Sequence, residues 1–169
     1  RFARLEETKI ILSTLAVIDA GKLGASYFKV LIKLHNIDES TVSKLIRSLT
    51  DNASVNWVAR LDGLYDVGFT IRVERIVELS NFLDQLKSNN HQYIHRLVVA
   101  INIQVDFLPR DYLLQRTSRI DKRVAYTTPK ALVTVDELDS AILRILATDT
   151  RKPAAAIART TGVTTETIL

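Results

Sequence analysis

The chain has 169 residues, 47% hydrophobic and 25% charged, with 23 Lys plus Arg against 19 Asp plus Glu for a net charge of +4. That apolar content excludes a disordered chain and is enough for one domain or two small ones. The absence of Cys excludes a disulfide framework and thiolate metal sites, and no apolar run approaches the length of a membrane-spanning helix.

The opening residues, Arg1 to about Thr8, are charged and helical in pattern, and no methionine occurs anywhere. The chain starts inside one pattern and stops at Leu169 as another begins, which reads as an internal slice of a longer protein. From residue 27 the spacing changes. Phe28, Val30, Ile32 and Leu34 alternate with Lys29 and Lys33, a period of two that predicts a strand with one dry face. Val42, Leu45, Ile46 and Leu49 then fall at i, i+3, i+4 and i+7, the apolar stripe of a helix, with Asp38 or Ser40 as its cap.

Residues 55–61 alternate again, which puts Val55, Trp57, Ala59 and Leu61 on the core side and leaves Val58 outside. Asp62-Gly63-Leu64 is a turn signal, and Val67, Phe69, Ile71 and Val73 continue the alternation, so the two segments form a hairpin. Leu79, Phe82, Leu83 and Leu86 mark a second helix, and one long strand is expected over 94–106. The order strand, helix, strand, strand, helix, strand predicts an α+β, ferredoxin-like βαββαβ domain with helices on one face of its sheet. Leu31, Val58, Val98 and Ala100 leave apolar patches on the other face, so a second copy is expected to cover it as a homodimer.

The excess charge is local. Residues 107–134 hold Arg110, Arg116, Arg119, Lys122, Arg123 and Lys130 against Asp111 and Asp121, while the remainder balances 17 basic with 17 acidic residues. This stretch reads as a basic linker able to track phosphates. After it, Leu138, Ile142, Ile145 and Leu146 lie on one face of a helix, with Asp136 and Glu137 in its first turn. A short helix begins at Pro153 and ends at Gly162, and a new helix opens at Thr164. Helix, glycine turn and capped helix make a helix-turn-helix pattern, with Thr164, Thr165 and Thr167 placed to meet DNA phosphates and base edges.

Three stretches together resemble the leucine-responsive/asparagine-responsive (Lrp/AsnC) family of transcription regulators. Val135-Asp136-Glu137-Leu138-Asp139, Ile142-Leu143, Asp149, Arg151, Ile157-Ala158 and Gly162-Val163-Thr164 look like the opening of its winged helix-turn-helix. Arg1, Arg4-Leu5-Glu6-Glu7, Ile10-Ile11, Ile18-Asp19 and Lys22-Leu23-Gly24 look like the end of one, and Gly63-Leu64-Tyr65-Asp66 is similar to the turn of the family's effector domain. The resemblance implies the end of a first winged helix-turn-helix over 1–24, a ligand-binding and dimerisation domain over 25–107, the linker over 108–134, and the start of a second helix-turn-helix over 135–169 of a tandem-unit member. It implies double-stranded promoter DNA as partner, an amino acid or similar small effector, a homodimer or higher oligomer, and a cytoplasmic location.

Gly63, Leu64, Tyr65 and Asp66, with His95, are the candidate effector site. Gly63 frees backbone N–H groups for a carboxylate, and Asp66 suits an ammonium. Lys9 departs from the family, which favours Gly after the first helix; a Lys in a left-handed helix end costs about 1 kcal/mol. Ile94-His95-Arg96-Leu97 departs too, standing where small hydroxyl residues are usual. His35, His91 and His95 lack metal-ligand spacing, and no catalytic constellation or cofactor motif stands out. Two other functions stay open. Sirohaem decarboxylases resemble the family, but their His-containing Tyr-Asn motif is matched here by Arg60-Leu61-Asp62-Gly63-Leu64-Tyr65-Asp66, which has no His. An assembly module without effector binding is the other.

Overall fold

The computed structural model describes residues 1–107, 124–127 and 132–169. These group into two compact units: Ala20–Leu132, and Arg1–Asp19 together with Val133–Leu169. All six basic residues of the predicted basic stretch, Arg110, Arg116, Arg119, Lys122, Arg123 and Lys130, lie outside the described residues.

The larger unit holds β1 (Ser26–Leu34), α2 (Glu39–Thr50), β2 (Val55–Arg60), β3 (Val67–Val73), α3 (Ile76–Asn90) and β4 (Ile94–Asn102), while α1 (Phe2–Glu7) belongs to the other unit. The sheet order is β2-β3-β1-β4, and the pairs β2–β3, β3–β1 and β1–β4 are all antiparallel. This is the predicted ferredoxin-like βαββαβ fold.

Its core lies between the sheet and the two helices. Val30, Ile32, Val67, Phe69 and Ile71 from the central strands are almost fully buried, against Val42, Leu45 and Leu49 of α2 and Leu79 and Leu86 of α3. The ring of Phe69 meets that of Phe82 edge-on at 5.8 Å between centroids. The Asp38 carboxylate caps α2 by accepting from the Thr41 N–H at 2.6 Å.

Two expectations are corrected. Trp57 does not face the core. The β2–β3 register shifts between Val55 and Trp57, so one extra residue enters β2 and the parity reverses after it. Val55 and Val58 pack on the core, whereas Trp57 stands on the helix-free face with the Lys29 ammonium 5.2 Å from its ring centroid. Gly68 lies beneath Leu61, Leu31 and Trp57 there: a Cβ at Gly68 would come within 3.0 Å of Leu61 Cδ1 and 3.2 Å of Leu31 Cδ2.

The expected strand over 94–106 is two strands. β4 ends at Asn102 opposite Tyr27, near the first residue of β1, and so runs out of partner. The chain then continues as β5 (Gln104–Phe107), which pairs antiparallel with β6 (Val124–Thr127) in a separate two-stranded sheet.

The smaller unit contains α1 (Phe2–Glu7), α4 (Glu137–Thr148), α5 (Ala154–Thr161) and α6 (Thr165–Ile168). Lys9 adopts φ 56°, the left-handed conformation a glycine takes without strain. The Ile10 and Ile11 N–H groups fold back to the Leu5 carbonyl at 2.9 and 3.0 Å, closing the end of α1. α4 opens with a reciprocal cap: the Asp139 N–H donates to the Asp136 carboxylate at 2.7 Å, and the Asp136 N–H to that of Asp139 at 3.2 Å.

Candidate functional site

Two places carry chemistry, one in each unit. The first is the end of the sheet where β1 finishes, β4 begins and β2 turns into β3. Gly63 takes φ 128° and permits the turn, which closes with the Leu61 N–H donating to the Asp66 carbonyl at 2.8 Å. Asp66 is then bolted to β1. Its N–H donates to the Ile32 carbonyl at 2.9 Å, its carboxylate accepts from the Leu34 N–H at 2.6 Å, and the Lys33 ammonium sits 2.9 Å from the same carboxylate. Partial desolvation raises the pKa of this carboxyl, but the Leu34 N–H and Lys33 outweigh it, and it titrates below the ordinary aspartate value.

Alongside lies an open cleft of about 680 Å³, lined by Asp66, by His35 and Asn36 of the β1–α2 connection, by Glu39 of α2 and by Arg60 of β2. Arg60 and Glu39 form a two-pronged ion pair, with Nη2 2.7 Å from Oε2. This pair holds the Glu39 carboxyl below its usual range. The cleft's Arg60 cation and its Asp66 anion therefore each already hold a partner from within the chain.

Of the predicted effector residues, Gly63 and Asp66 converge on Lys33, whose ammonium also donates to the Gly63 carbonyl at 3.3 Å. Leu64 is 72% exposed, and Tyr65 is half-buried. His95 is exposed on β4 at the same end of the sheet, its ring 5.6 Å from that of His35. The cleft itself draws on His35, Asn36, Glu39 and Arg60, which the sequence reading did not single out as effector contacts. Asn36, at φ 48°, turns the chain from β1 towards α2; an Asn directly after an alternating run was the available signal.

The second place is the helix-turn-helix. α5 follows Pro153 and ends at Gly162, which takes φ 74°, with the Gly162 and Val163 N–H groups both donating to the Ala158 carbonyl. Ile157 and Ala158 are buried, at 4% exposure each. Thr164 caps α6: its hydroxyl accepts from the Thr167 N–H at 3.3 Å and lies 3.0 Å from the Thr167 hydroxyl. Of the three predicted DNA-contacting threonines, Thr164 and Thr167 are thus tied to one another, while Thr165 is exposed on the same turn.

The model of the AsnC-type helix-turn-helix domain matches residues 135–169, the segment just described. No curated protein sequence matches the chain. Among solved structures, an AsnC family transcriptional regulator from Agrobacterium tumefaciens is similar at 19% identity and a TM-score of 0.57, over 66% of this chain and 75% of that one. The AsnC protein of E. coli is similar at 15% identity and a TM-score of 0.52, over 64% and 71%. These likenesses show the fold, and the match over residues 135–169 shows an AsnC-type helix-turn-helix segment. The fold of the chain is also similar to that of the sirohaem decarboxylase NirDL, solved with an iron-uroporphyrin III analogue. That likeness has 14% identity and a TM-score of 0.62, and covers 99% of this chain but 47% of that one.

Proposed function

We propose that this chain belongs to the Lrp/AsnC family and is part of a DNA-binding transcription regulator. The observation that carries the reading is the AsnC-type match over 135–169, on a segment that has the helix, left-handed glycine turn and capped second helix such a domain requires. In this reading Thr164, Thr165 and Thr167 meet double-stranded promoter DNA. The ferredoxin-like unit assembles as a homodimer or larger oligomer in the cytoplasm. Its helix-free face, with Trp57 at 43% exposure beside Leu31 and Leu61, supports pairing with a second copy.

Effector capture belongs to the Gly63–Asp66 turn with His95. A regulator of like fold from Neisseria meningitidis, at 12% identity and a TM-score of 0.52, was solved with L-methionine, which favours an amino acid. A zwitterion would have to loosen the Lys33–Asp66 or Arg60–Glu39 pair to gain those charges, so the reading implies weak binding coupled to movement of the turn.

Fluorescence anisotropy with the full chain and a labelled duplex, at several salt concentrations, tests the regulator reading. Binding that weakens steeply with salt and prefers one sequence is expected. Flat, micromolar binding indifferent to sequence overturns it.

The likeness to NirDL across nearly the whole chain favours a second reading, a tetrapyrrole-binding enzyme. The segment Arg60–Asp66 offers no histidine to it. Absorbance titration with an iron uroporphyrin tests it: a saturable Soret shift would favour the enzyme.

A further inference from the structure

Residues 1–19 and 133–169 stand at opposite ends of the sequence yet form one compact unit. The joints are specific. The last carbonyls of a helix have no partner within it, and in α4 the Ala16 N–H donates to one of them, that of Leu146, at 3.1 Å. Just beyond α4 the Thr150 N–H donates to the Thr14 carbonyl at 3.0 Å. The Arg151 guanidinium lies over the Phe2 ring at 3.9 Å from its centroid, a cation–π contact between α1 and the segment leading into α5. Burial along residues 13–18 alternates as in a strand: Thr14, Ala16 and Ile18 are half-buried, while Ser13, Leu15 and Val17 are exposed. On α1, Phe2 and Leu5 are half-buried and Arg1 and Arg4 exposed, each pair one turn apart.

We infer that the DNA-contacting surface of this chain is composite: residues 1–19 complete the helix-turn-helix of residues 133–169 in the same chain, and α1 contributes Arg1 and Arg4 to the grip on phosphates. The placement of cations, not net charge, supports this division: residues 1–19 balance Arg1, Arg4 and Lys9 against Glu6, Glu7 and Asp19. Residues 133–169 carry four basic side chains against five acidic ones, a poor balance for holding a polyanion. Arg1, the residue that caps α1, and Arg4, one turn on, add exposed cations on one side of the helix. Packing supports it as well. Within 137–168 only Ile157 and Ala158 are buried, so the helices there have little core of their own, and the contacts with Phe2, Thr14 and Ala16 supply part of what is missing.

The inference rests on the regulator reading, and its test separates the two. Hydrogen exchange on the full chain reads the joint directly. Phe2→Ala is expected to speed amide exchange over 142–161 by about fivefold and to leave Val67–Val73 unchanged; unchanged exchange over 142–161 overturns the composite unit. In the cysteine-free chain, the double variant Thr14→Cys/Thr150→Cys treated with a short bismaleimide is expected to cross-link within single chains. Cross-links only between chains, or none, overturn closure within one chain. Arg1→Gln/Arg4→Gln leaves exchange as in the parent and is expected to lower the salt slope of duplex binding by about 0.9 for each phosphate it no longer neutralises. A parent chain that binds duplex with an unaltered slope in this variant overturns the role of α1, whereas a parent chain that binds no duplex at all overturns the regulator reading instead.

Discussion

Asp66 is the residue on which the candidate effector end of the sheet is built, and its removal has a calculable cost. The carboxylate accepts a charge-assisted bond from the Leu34 N–H at 2.6 Å and meets the Lys33 ammonium at 2.9 Å. A hydrogen bond to a charged group contributes about 1.5–3 kcal/mol, and a half-exposed ion pair adds at most about 1. Lys33 and Asp66 side chains are 36% and 35% exposed, so the ion pair sits at the low end and the Leu34 bond dominates. Asp66→Ala should therefore cost about 2–3 kcal/mol, or roughly 8–15 °C in Tm for a unit of about 100 residues. Asp66→Asn keeps an acceptor for the Leu34 N–H and should cost about 1 kcal/mol. Trp57 is the sole tryptophan and lies in this unit, so its fluorescence in a urea titration reports on the unit by itself. A loss under about 0.5 kcal/mol for Asp66→Ala, or equal losses for Ala and Asn, would refute the anchor.

Three further outcomes follow from the same geometry. Because the folded pKa of Asp66 lies below its ordinary value of 3.8, its stabilisation is fully present above that value and is lost as pH falls through the folded pKa. Urea midpoints should hold from about pH 7 to 5 and drop below about pH 4, with a shallower acid drop in Asp66→Asn; an identical drop would contradict the assignment. Lys9→Gly removes the strain of a left-handed lysine and should stabilise the unit of residues 1–19 and 133–169 by about 0.5–1 kcal/mol, read as slower amide exchange there. Leu49→Ala empties a site only 2% exposed beneath the sheet and should cost about 2–5 kcal/mol by urea titration, with duplex affinity per folded molecule unchanged.

The alternation of β1 and β3 and the stripe of α2 were legible in the sequence because each is a local periodicity, and they led to the right fold. The facing of Trp57 was not, because a single extra residue in β2 reverses parity without changing composition. The break at Ile103 was hidden for another reason: β4 ends where β1 has no more backbone to offer, which is a property of the partner strand. The ends of the chain could each be read as a fragment of a helix-turn-helix, but nothing local says that Ala16 will meet Leu146. Asp66 was singled out for an incoming ammonium; that an ammonium from β1 already occupies it depends on the hairpin register, not on the turn residues.

The central claim is that this chain reads DNA, and one experiment weighs it against the tetrapyrrole alternative on a single preparation. The full chain is titrated with a set of labelled DNA duplexes of differing sequence, and in parallel with iron uroporphyrin. Duplex binding with a steep salt slope and an unshifted Soret band is the predicted result. A saturable Soret shift with only weak, salt-insensitive duplex binding would contradict it.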